Sequence, residues 1–293
     1  MRISERAPAK INLTLRVLGR RADGYHELES LVTFADVGDC VTLTVAGEPG
    51  AAGNVAVSGP FAGDIDGQNL LERTLALLRE ADPGLRLGSV ELEKNLPVAA
   101  GLGGGSADAA ALLRAVRRAN PERAPGLPWH ELAARLGADV PVCLAGTPAV
   151  MRGVGEQIEG RGLRPGRRRL YAVLVNPRVR LATADVFRVL AAKGAAHRPL
   201  AVPAFADLAE LLDHMRAAGN DLEAPALALL PVIAEVKAAL AGQPACLHAA
   251  MSGSGPTCFG LFAAEASAAR AAAALALRHP GWWVVAASLD FPA

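Results

Sequence analysis

The residues most suggestive of chemistry form a glycine-rich stretch, LPVAAGLGGGSADAA, that runs from Leu96 to Ala110. Gly101 and the consecutive Gly103, Gly104 and Gly105 precede an alanine-rich segment that favours a helix. The first N–H groups of a helix lack intrahelical partners and carry the positive end of the helix dipole. Glycine lets the preceding backbone take positive φ and approach a ligand closely. The pattern therefore predicts a phosphate-binding loop at a helix start, with a flexible surface turn as the alternative.

Regular elements are predicted on both sides of this loop. Before it, Ser89–Lys94 alternates apolar and charged residues, which is typical of a strand. After it, we predict a helix with Ser106 as its N-cap and Asp108 in its first turn, ended by Asn120-Pro121. A P-loop would need lysine in place of Ser106 and a dinucleotide fingerprint would need glycine there, so phosphate binding is predicted by a different design.

Two further groups of candidate residues lie near the N-terminus. Residues 8–18, PAKINLTLRVL, alternate apolar and polar residues, which predicts a strand with Lys10 and Asn12 on one face. A predicted turn through Asp23-Gly24 is followed by Tyr25 and His26. On the residues alone, Lys10 is equally compatible with a solvated strand lysine. A Tyr-His pair in a polar loop has fewer packing reasons to exist.

The remaining pattern predicts the elements that must position these residues. Strands are predicted near 41–45, over 170–177, after the glycine-rich turn within 251–262, and from Trp282 onward. Helices are predicted over 67–80, 130–136, 183–193, 205–217, 226–241 and 265–278. A shift to Gly, Arg and Pro over 146–169 predicts a domain boundary near 150–165. The arginines of 161–169 are attributed to a solvated linker face in preference to an anion site.

Composition limits the class of protein. The chain has 293 residues, of which 52% are hydrophobic and 4% aromatic, which is typical of a helix-rich globular protein. A net charge of +1 provides no general attraction for nucleic acid or an anionic membrane. The four cysteines form no CxxC pair and are predicted to be buried free thiols. Without a secretory signal or an apolar run of 18 residues, the chain is expected to be cytoplasmic.

The order of three segments, 8–12, 96–107 and 251–257, is more specific than any of them alone. The chain resembles the GHMP kinase superfamily, small-molecule kinases with the loop P-x-x-x-G-L-G-x-x-x-S. That loop corresponds here to Pro97 through Ser106. The segments PAKINLTLRVLGRRADGYHELES, GLGGGSADAA, GADVPVCLAG and MSGSGPTCFGLF are similar to the 4-diphosphocytidyl-2-C-methyl-D-erythritol kinases within it. The similarity is weak over residues 160–250.

The resemblance implies an architecture and ligands. The fold class would be α+β, a two-domain GHMP kinase fold. Residues 1–155 would form a ribosomal-protein-S5-like α/β domain that binds ATP, and 156–293 a ferredoxin-like α+β domain; whether the last strand packs back on the first domain is left open. The cofactors would be ATP and Mg²⁺. The partner would be a small molecule carrying a cytidine diphosphate group, bound in the cleft between domains, and neither nucleic acid nor membrane. A monomer or weak homodimer is expected.

The resemblance also assigns catalytic roles. Asp139 matches the catalytic aspartate, which would accept the proton of the C2 hydroxyl or hold that hydroxyl in line. Lys10 matches the catalytic lysine, which would stabilise charge on the transferring phosphoryl group. Asn12, on the same strand face, would form a hydrogen bond to the substrate or to the catalytic pair. From spacing alone, Asp139 would be a surface aspartate in a turn.

Further residues would hold the two substrates. The cytosine would stack on Tyr25 and bond to His26, with Phe187 covering its other face; a core position in a helix is an equally good interpretation of Phe187. The ATP-binding residues would be Pro97, Val98, Ala99, Ala100, Gly101, Leu102, Gly103, Gly104, Gly105, Ser106 and Ala107, together with Asn69, Leu70 and Lys94. Ser106 would also help to place the metal. Asn69 could equally be an N-cap, and Lys94 an exposed strand lysine.

Two alternatives stay open at this point. Another GHMP-type kinase would act on mevalonate phosphate, homoserine or a sugar, but these substrates offer no base to stack on Tyr25. A catalytically silent nucleotide-binding protein would need neither Lys10 nor Asp139. One departure from the family pattern is Ala99-Ala100, where other members often carry glycine.

Overall fold

The computed structural model describes residues 1–22, 24–45, 52–67, 69–160, 169–192, 199, 202 and 205–289. Asp23 of the predicted turn and the arginines within 161–168 lie outside the described residues. The chain divides into two compact units. The first comprises Met1–Ala9, Gly38–Val98 and Gly103–Gly146, and the second Lys10–Val37, Ala99–Leu102 and Thr147–Ala293. A domain division at 155/156 stays a prediction.

Strands and helices are interspersed along the described chain, so the expected α+β class is confirmed. The strands are β1 Arg2–Asn12, β2 Arg16–Arg20, β3 His26–Thr44, β4 Ala52–Ser58, β5 Gly88–Glu93, β6 Ala149–Gly153, β7 Gln157–Gly160, β8 Leu170–Asn176, β9 His248–Met251, β10 Cys258–Phe262 and β11 Trp283–Leu289. The helices are α1 Leu70–Ala81, α2 Gly104–Ala119, α3 Trp129–Leu136, α4 Val140–Ala145, α5 Thr183–Ala192, α6 Leu208–Ala218, α7 Glu223–Leu229, α8 Val232–Ala241 and α9 Glu265–Arg278.

In the first unit, helices pack beside a mixed sheet. β5 runs antiparallel to the end of β3, with Cys40 opposite Glu93, and β4 runs parallel to β5. Val90 and Leu92 of β5 are buried, while Glu91 and Glu93 are exposed, as the alternation predicts. Helix α2 packs against α1, α3 and α4. Its buried face is rich in alanine, which allows neighbouring helices to approach closely.

In the second unit, an antiparallel sheet has the strand order β11-β8-β10-β9. Helices α8 and α9 cover it. Their apolar residues join those of the strands in one core, to which β2 also contributes. Members of this core include Val17, Val173, Ile233, Phe262 and Leu275. Burial of such a core is the main favourable term in folding, because apolar surface leaves water.

Three predicted elements differ from the structure. The strand predicted over 8–18 begins at Arg2 and is interrupted between Asn12 and Arg16, where β1 ends and β2 begins. The strand near 41–45 is the end of the much longer β3. The helix predicted over 226–241 is two helices, because the chain leaves the helical conformation at Leu230 before Pro231.

The cysteines are free, as predicted, but their burial differs. Cys143 and Cys258 are buried, whereas Cys40 and Cys246 are partly exposed. Within the described ranges, no helix is both long and apolar enough to cross a membrane.

Candidate active site

The glycine-rich stretch begins helix α2 earlier than the sequence predicts. Gly103 is the N-cap residue, in the left-handed region at φ 62°, and the helix starts at Gly104. Ser106 is therefore the third helical residue, so its predicted N-cap role is wrong. Asp108 lies beyond the first turn of α2, so its predicted place in that turn is wrong. The described residues of the first turn include no acidic side chain. Glycine at the cap adopts a conformation that most side chains disfavour, which fixes the helix start there.

The start of α2 is a backbone surface open to a ligand. Among the described residues, no side chain caps this helix. A Cβ added at Gly105 would meet no atom within 4 Å, so packing does not explain that glycine. The N–H groups of the first turn and the helix dipole are suited to an anion. The site therefore fits a phosphate group held by backbone atoms.

The preceding loop is held against the second glycine-rich turn, and both belong to the second unit. Gly101 has φ 74°, and a Cβ there would lie 2.3 Å from the carbonyl oxygen of Ser252. The N–H of Thr257 donates to the carbonyl of Ala100 at 3.2 Å. The glycine at position 101 is thus required twice, by its backbone conformation and by the close approach of the turn.

Ser252 connects this loop to β1. Its wholly buried hydroxyl accepts from the N–H of Asn12 at 3.1 Å and donates to the carbonyl of Gly101 at 2.9 Å. The N–H of Lys10 donates to the carbonyl of Leu102 at 2.9 Å. The backbone that carries Lys10 and Asn12 is therefore fixed to the loop.

Lys10 and Asn12 are buried, at 4% and 3% exposure, so the solvated-lysine interpretation of Lys10 is wrong. The amide nitrogen of Asn12 donates to the hydroxyl of Ser30 at 2.7 Å. Its Oδ1 is buried and has no hydrogen-bond partner among the described residues. A buried unpartnered acceptor is costly, which points to a donor that binds there.

Asp139 occupies the position before α4. Its backbone has φ −86° and ψ −12°, and its carboxylate does not cap the helix. Its side chain is partly exposed. Asp139 belongs to the first unit and Lys10 to the second. Their joint action stays a prediction.

The predicted base-binding residues lie within the second unit. Tyr25 is 66% exposed, which is unusual for a large ring. His26 stacks on Phe187 with ring centroids 4.8 Å apart and an interplanar angle of 26°. Burial, and then the charge of Arg20, lowers the pKa of His26 below its usual value. Phe187 is partly buried and packs against the core, which supports its interpretation as a core residue, and its contact with the cytosine stays a prediction.

At the start of α1, Asn69 is the N-cap. Its Oδ1 accepts from the N–H of Leu71 at 3.0 Å. Its Nδ2 is buried and has no partner within the described part of the chain. The capping interpretation is thus confirmed for the oxygen, and the nitrogen remains available to a ligand. Leu70, beside it, is the first residue of the helix. The adenine-binding role of both stays a prediction.

Lys94 is 3% exposed and joins two carboxylates, so its interpretation as an exposed strand lysine is wrong. Its Nζ lies 2.5 Å from Oδ2 of Asp39 and 2.7 Å from Oδ2 of Asp108. Burial alone would lower the pKa of Lys94, but Asp108 and Asp39 raise it above its ordinary value. Burial raises the pKa of Asp108 to about 7, although Lys94 opposes this shift. Binding of ATP by Lys94 stays a prediction.

Comparison with known proteins identifies the family. The families GHMP kinases N terminal domain and GHMP kinases C terminal match residues 69–147 and 201–280. A 4-diphosphocytidyl-2-C-methyl-D-erythritol kinase from Rhodopseudomonas palustris is 49% identical, with 99% of this chain and 98% of the relative covered. The chain belongs to this family of GHMP kinases. A second such kinase, from Paramagnetospirillum magneticum, is 46% identical, with 97% of each chain covered.

Solved structures agree with this assignment to the GHMP kinases. A crystal structure of 4-(cytidine 5'-diphospho)-2C-methyl-D-erythritol kinase matches with a TM-score of 0.76 and 33% identity, over 98% of this chain and 99% of the other. Homoserine kinase from Cytophaga hutchinsonii matches with a TM-score of 0.72 at 19% identity, over 99% and 95% of the two chains. The second match shows the shared fold alone.

The sequence did not indicate several residues that lie at the candidate site. Asp39 is separated from Lys94 by 55 positions, and neither carries a motif that pairs them. Ser252 was recognised as part of a glycine-rich segment, but its bonds to β1 and the loop were not predicted. Ser30, which supports Asn12, gives no signal in the sequence of β3.

Proposed function

We propose that this chain transfers the γ-phosphoryl group of ATP to the C2 hydroxyl of 4-diphosphocytidyl-2-C-methyl-D-erythritol, a step of the non-mevalonate isoprenoid pathway. The observation that carries the proposal is identity of 46–50% to kinases of that name over nearly the whole chain. The products are ADP, the 2-phosphate ester and the proton released by the hydroxyl. A cytoplasmic location remains a prediction from the sequence.

The nucleotide would be held by backbone atoms. ATP supplies the phosphoryl group that is transferred. The N–H groups from Gly103 to Ser106 would bind its phosphates, and the open space at Gly105 supports this. Within the described residues, no group of three or more His, Cys, Asp or Glu side chains could hold a metal. Mg²⁺ would be bound by phosphate oxygens and water, with the hydroxyl of Ser106 helping to place it.

The reacting hydroxyl would be served by the residues of β1 and the start of α4. Asp139 would accept its proton as the bond from oxygen to phosphorus forms. Lys10 would stabilise the negative charge on the phosphoryl oxygens during transfer. The unpartnered Oδ1 of Asn12 would accept a hydrogen bond from a substrate hydroxyl. These groups position the reacting hydroxyl and neutralise the charge on the phosphoryl oxygens, which is the main requirement of phosphoryl transfer.

The base would be recognised by rings of the second unit. The exposed Tyr25 offers a face for stacking, and stacking on an aromatic ring is worth roughly 1–3 kcal/mol per base. His26 would bond to the base edge. Its contact with Phe187 fixes the plane of the imidazole.

The proposal is tested by turnover of the purified protein with ATP and Mg²⁺. The acceptors to compare are 4-diphosphocytidyl-2-C-methyl-D-erythritol, mevalonate phosphate and homoserine, with ADP release as the readout. We expect turnover with the cytidyl compound alone. Turnover with another acceptor instead would retain the kinase fold and refute the base-recognition residues. Binding of ATP without turnover of any acceptor would favour a silent nucleotide-binding protein.

Asp139→Asn tests the assignment of the proton acceptor. The amide preserves shape but does not take a proton, so kcat should fall by about 10²-fold or more while ATP still binds. Asp213→Asn, at an aspartate with 77% side-chain exposure in α6, is the matched control and should retain activity. Near-full activity of Asp139→Asn would exclude Asp139 as the base.

A further inference from the structure

A buried group of three charges lies beneath the nucleotide loop, and no step of the proposed reaction uses it. Asp39 of β3, Lys94 after β5 and Asp108 of α2 have side-chain exposures of 0%, 4% and 4%. We call these residues the charge triad. All three belong to the first unit. Buried charges are expensive unless they are paired and hydrogen-bonded, so their partners indicate what the triad supports.

The two carboxylates make different contacts. Both reach Nζ of Lys94 through Oδ2. The second oxygen of Asp39 accepts from the backbone N–H groups of Asn95 and Leu96, at 2.6 and 2.8 Å. The second oxygen of Asp108 is buried and has no partner within the described part of the chain. Asp39 alone of the two therefore holds backbone where the chain leaves β5 for the loop.

The triad also lies directly under the other end of the loop. A Cβ added at Gly104, the first residue of α2, would be 3.1 Å from Nζ of Lys94 and 3.6 Å from Oδ2 of Asp39. The ammonium group of Lys94 therefore lies close to the backbone of Gly104, which has no side chain to separate them. Asp39 thus bonds to the entry of the loop, and Asp39 and Lys94 lie close to its exit at Gly104.

We infer that Asp39 is a positioning residue for nucleotide binding, because its carboxylate fixes the backbone of Asn95 and Leu96 and holds Lys94 beneath Gly104. This deepens the proposed function and rests on it, since the loop is the proposed ATP site. Asp108 also pairs with the ammonium group of Lys94, but it accepts no hydrogen bond from the backbone of Asn95 or Leu96. The two aspartates are therefore a matched pair, both buried and both in contact with Lys94, and they differ in what else they anchor.

The isosteric variants Asp39→Asn and Asp108→Asn separate the two roles. In Asp39→Asn, the new NH₂ must face either the ammonium of Lys94 or the two backbone N–H groups, and both arrangements oppose donor to donor. In Asp108→Asn, the amide oxygen can face Lys94 and the NH₂ can occupy the side that has no partner. Each variant replaces one carboxyl group of the triad by an amide of the same shape.

Calorimetric binding of a non-hydrolysable ATP analogue with Mg²⁺ is the test. We expect Asp39→Asn to weaken binding by about tenfold or more and Asp108→Asn by less than about threefold, because one breaks charge-assisted bonds to the loop and the other does not. In turnover assays, Asp39→Asn should raise KM for ATP and leave KM for the alcohol unchanged. Equal weakening by both variants, or none by Asp39→Asn, would overturn the inference.

Wild-type protein supplies a second measurement if Asp39→Asn does not fold. Amide hydrogen exchange should show Asn95 and Leu96 protected in the absence of nucleotide, because a buried carboxylate binds both N–H groups. Fast exchange at these two amides would refute the anchor. Calorimetry does not require turnover, so failure of the acceptor assay and failure of this inference are distinguishable.

Discussion

Ala99 is the loop residue whose backbone conformation is unfavourable for its residue type. It has φ 52°, in the left-handed region, which glycine adopts freely and alanine adopts only at an energetic cost. The sequence flagged this position as a departure from the family pattern, but it could not show that the backbone conformation is the one glycine favours. The neighbouring Ala100 has no such conformation and is buried.

Ala99→Gly should stabilise the protein. Relief of the left-handed strain outweighs the greater flexibility of glycine in the unfolded chain, so the free energy of unfolding should rise by about 0.5–1 kcal/mol. Denaturant unfolding measures it. Ala100→Gly is the control and should lower stability, because it adds flexibility without relieving strain. If both substitutions destabilised equally, the strain at Ala99 would be absent.

The burial of Lys94 is not evident from the sequence around it. Alternation predicted a strand over Ser89–Lys94, whereas β5 ends at Glu93 and Lys94 follows it. Its burial depends on Asp39 and Asp108, and Asp39 comes from a distant strand. Pairing of this kind is a tertiary property, which local periodicity does not encode. Burial of Lys10 was missed for the same reason.

At the scale of elements, residues 99–102 of the first glycine-rich segment contact the second segment, 251–257, within the second unit. The sequence predicted each as a turn, because glycine and proline mark turns strongly. Contact between residues 99–102 and 251–257 depends on the long return path of the chain. The start of α2 was predicted three residues late, because cap rules favour serine over glycine when the local backbone conformation is unknown.

Gly101→Ala should disrupt the contact between these segments. The new Cβ would lie 2.3 Å from the backbone oxygen of Ser252, at a position with φ 74°. Moving a backbone atom out of the way costs more energy than moving the end of a flexible side chain. The free energy of unfolding should fall by about 2 kcal/mol or more. Gly105→Ala is the matched control in thermal unfolding. It meets no atom within 4 Å and lies in a helix, so it should retain or raise stability.

For the whole molecule, the sequence predicted the class of fold and most elements, and the two compact units combine segments that are distant in the sequence. The first unit takes Gly38–Val98 and the second Lys10–Val37, so the long strand β3 contributes to both. A change of composition over 146–169 is the kind of signal that sequence offers for a boundary. It is local, whereas the compact units combine three separate segments each.

The pH dependence of stability is a property of the whole molecule that the structure makes specific. With a net charge of +1, general charge repulsion is small near neutral pH, so individual groups dominate. Burial raises the pKa of Asp108 from 3.8 to about 7. The folded state then holds a proton that the unfolded chain has lost, so stability falls as pH rises between about 4 and 7.

Histidines shift stability in the opposite direction. Burial lowers the pKa values of His26, His214 and His248 from 6.5, so the folded state resists their protonation. Their contribution to stability therefore rises as pH increases toward 6.5. Because the two effects overlap, the stability curve of the wild-type protein alone does not isolate the carboxyl group.

Asp108→Asn separates these contributions. The histidine contributions are common to both proteins, so the difference in unfolding free energy, wild type minus variant, reports Asp108. We expect this difference to decrease from pH 5 to pH 7, with a slope of at most about 1.4 kcal/mol per pH unit, and to level off above pH 7. Denaturant unfolding at pH 5, 6, 7 and 8 measures it. A difference that is constant or increases with pH would mean that Asp108 is ionised in the folded protein throughout this range, with Lys94 compensating its burial.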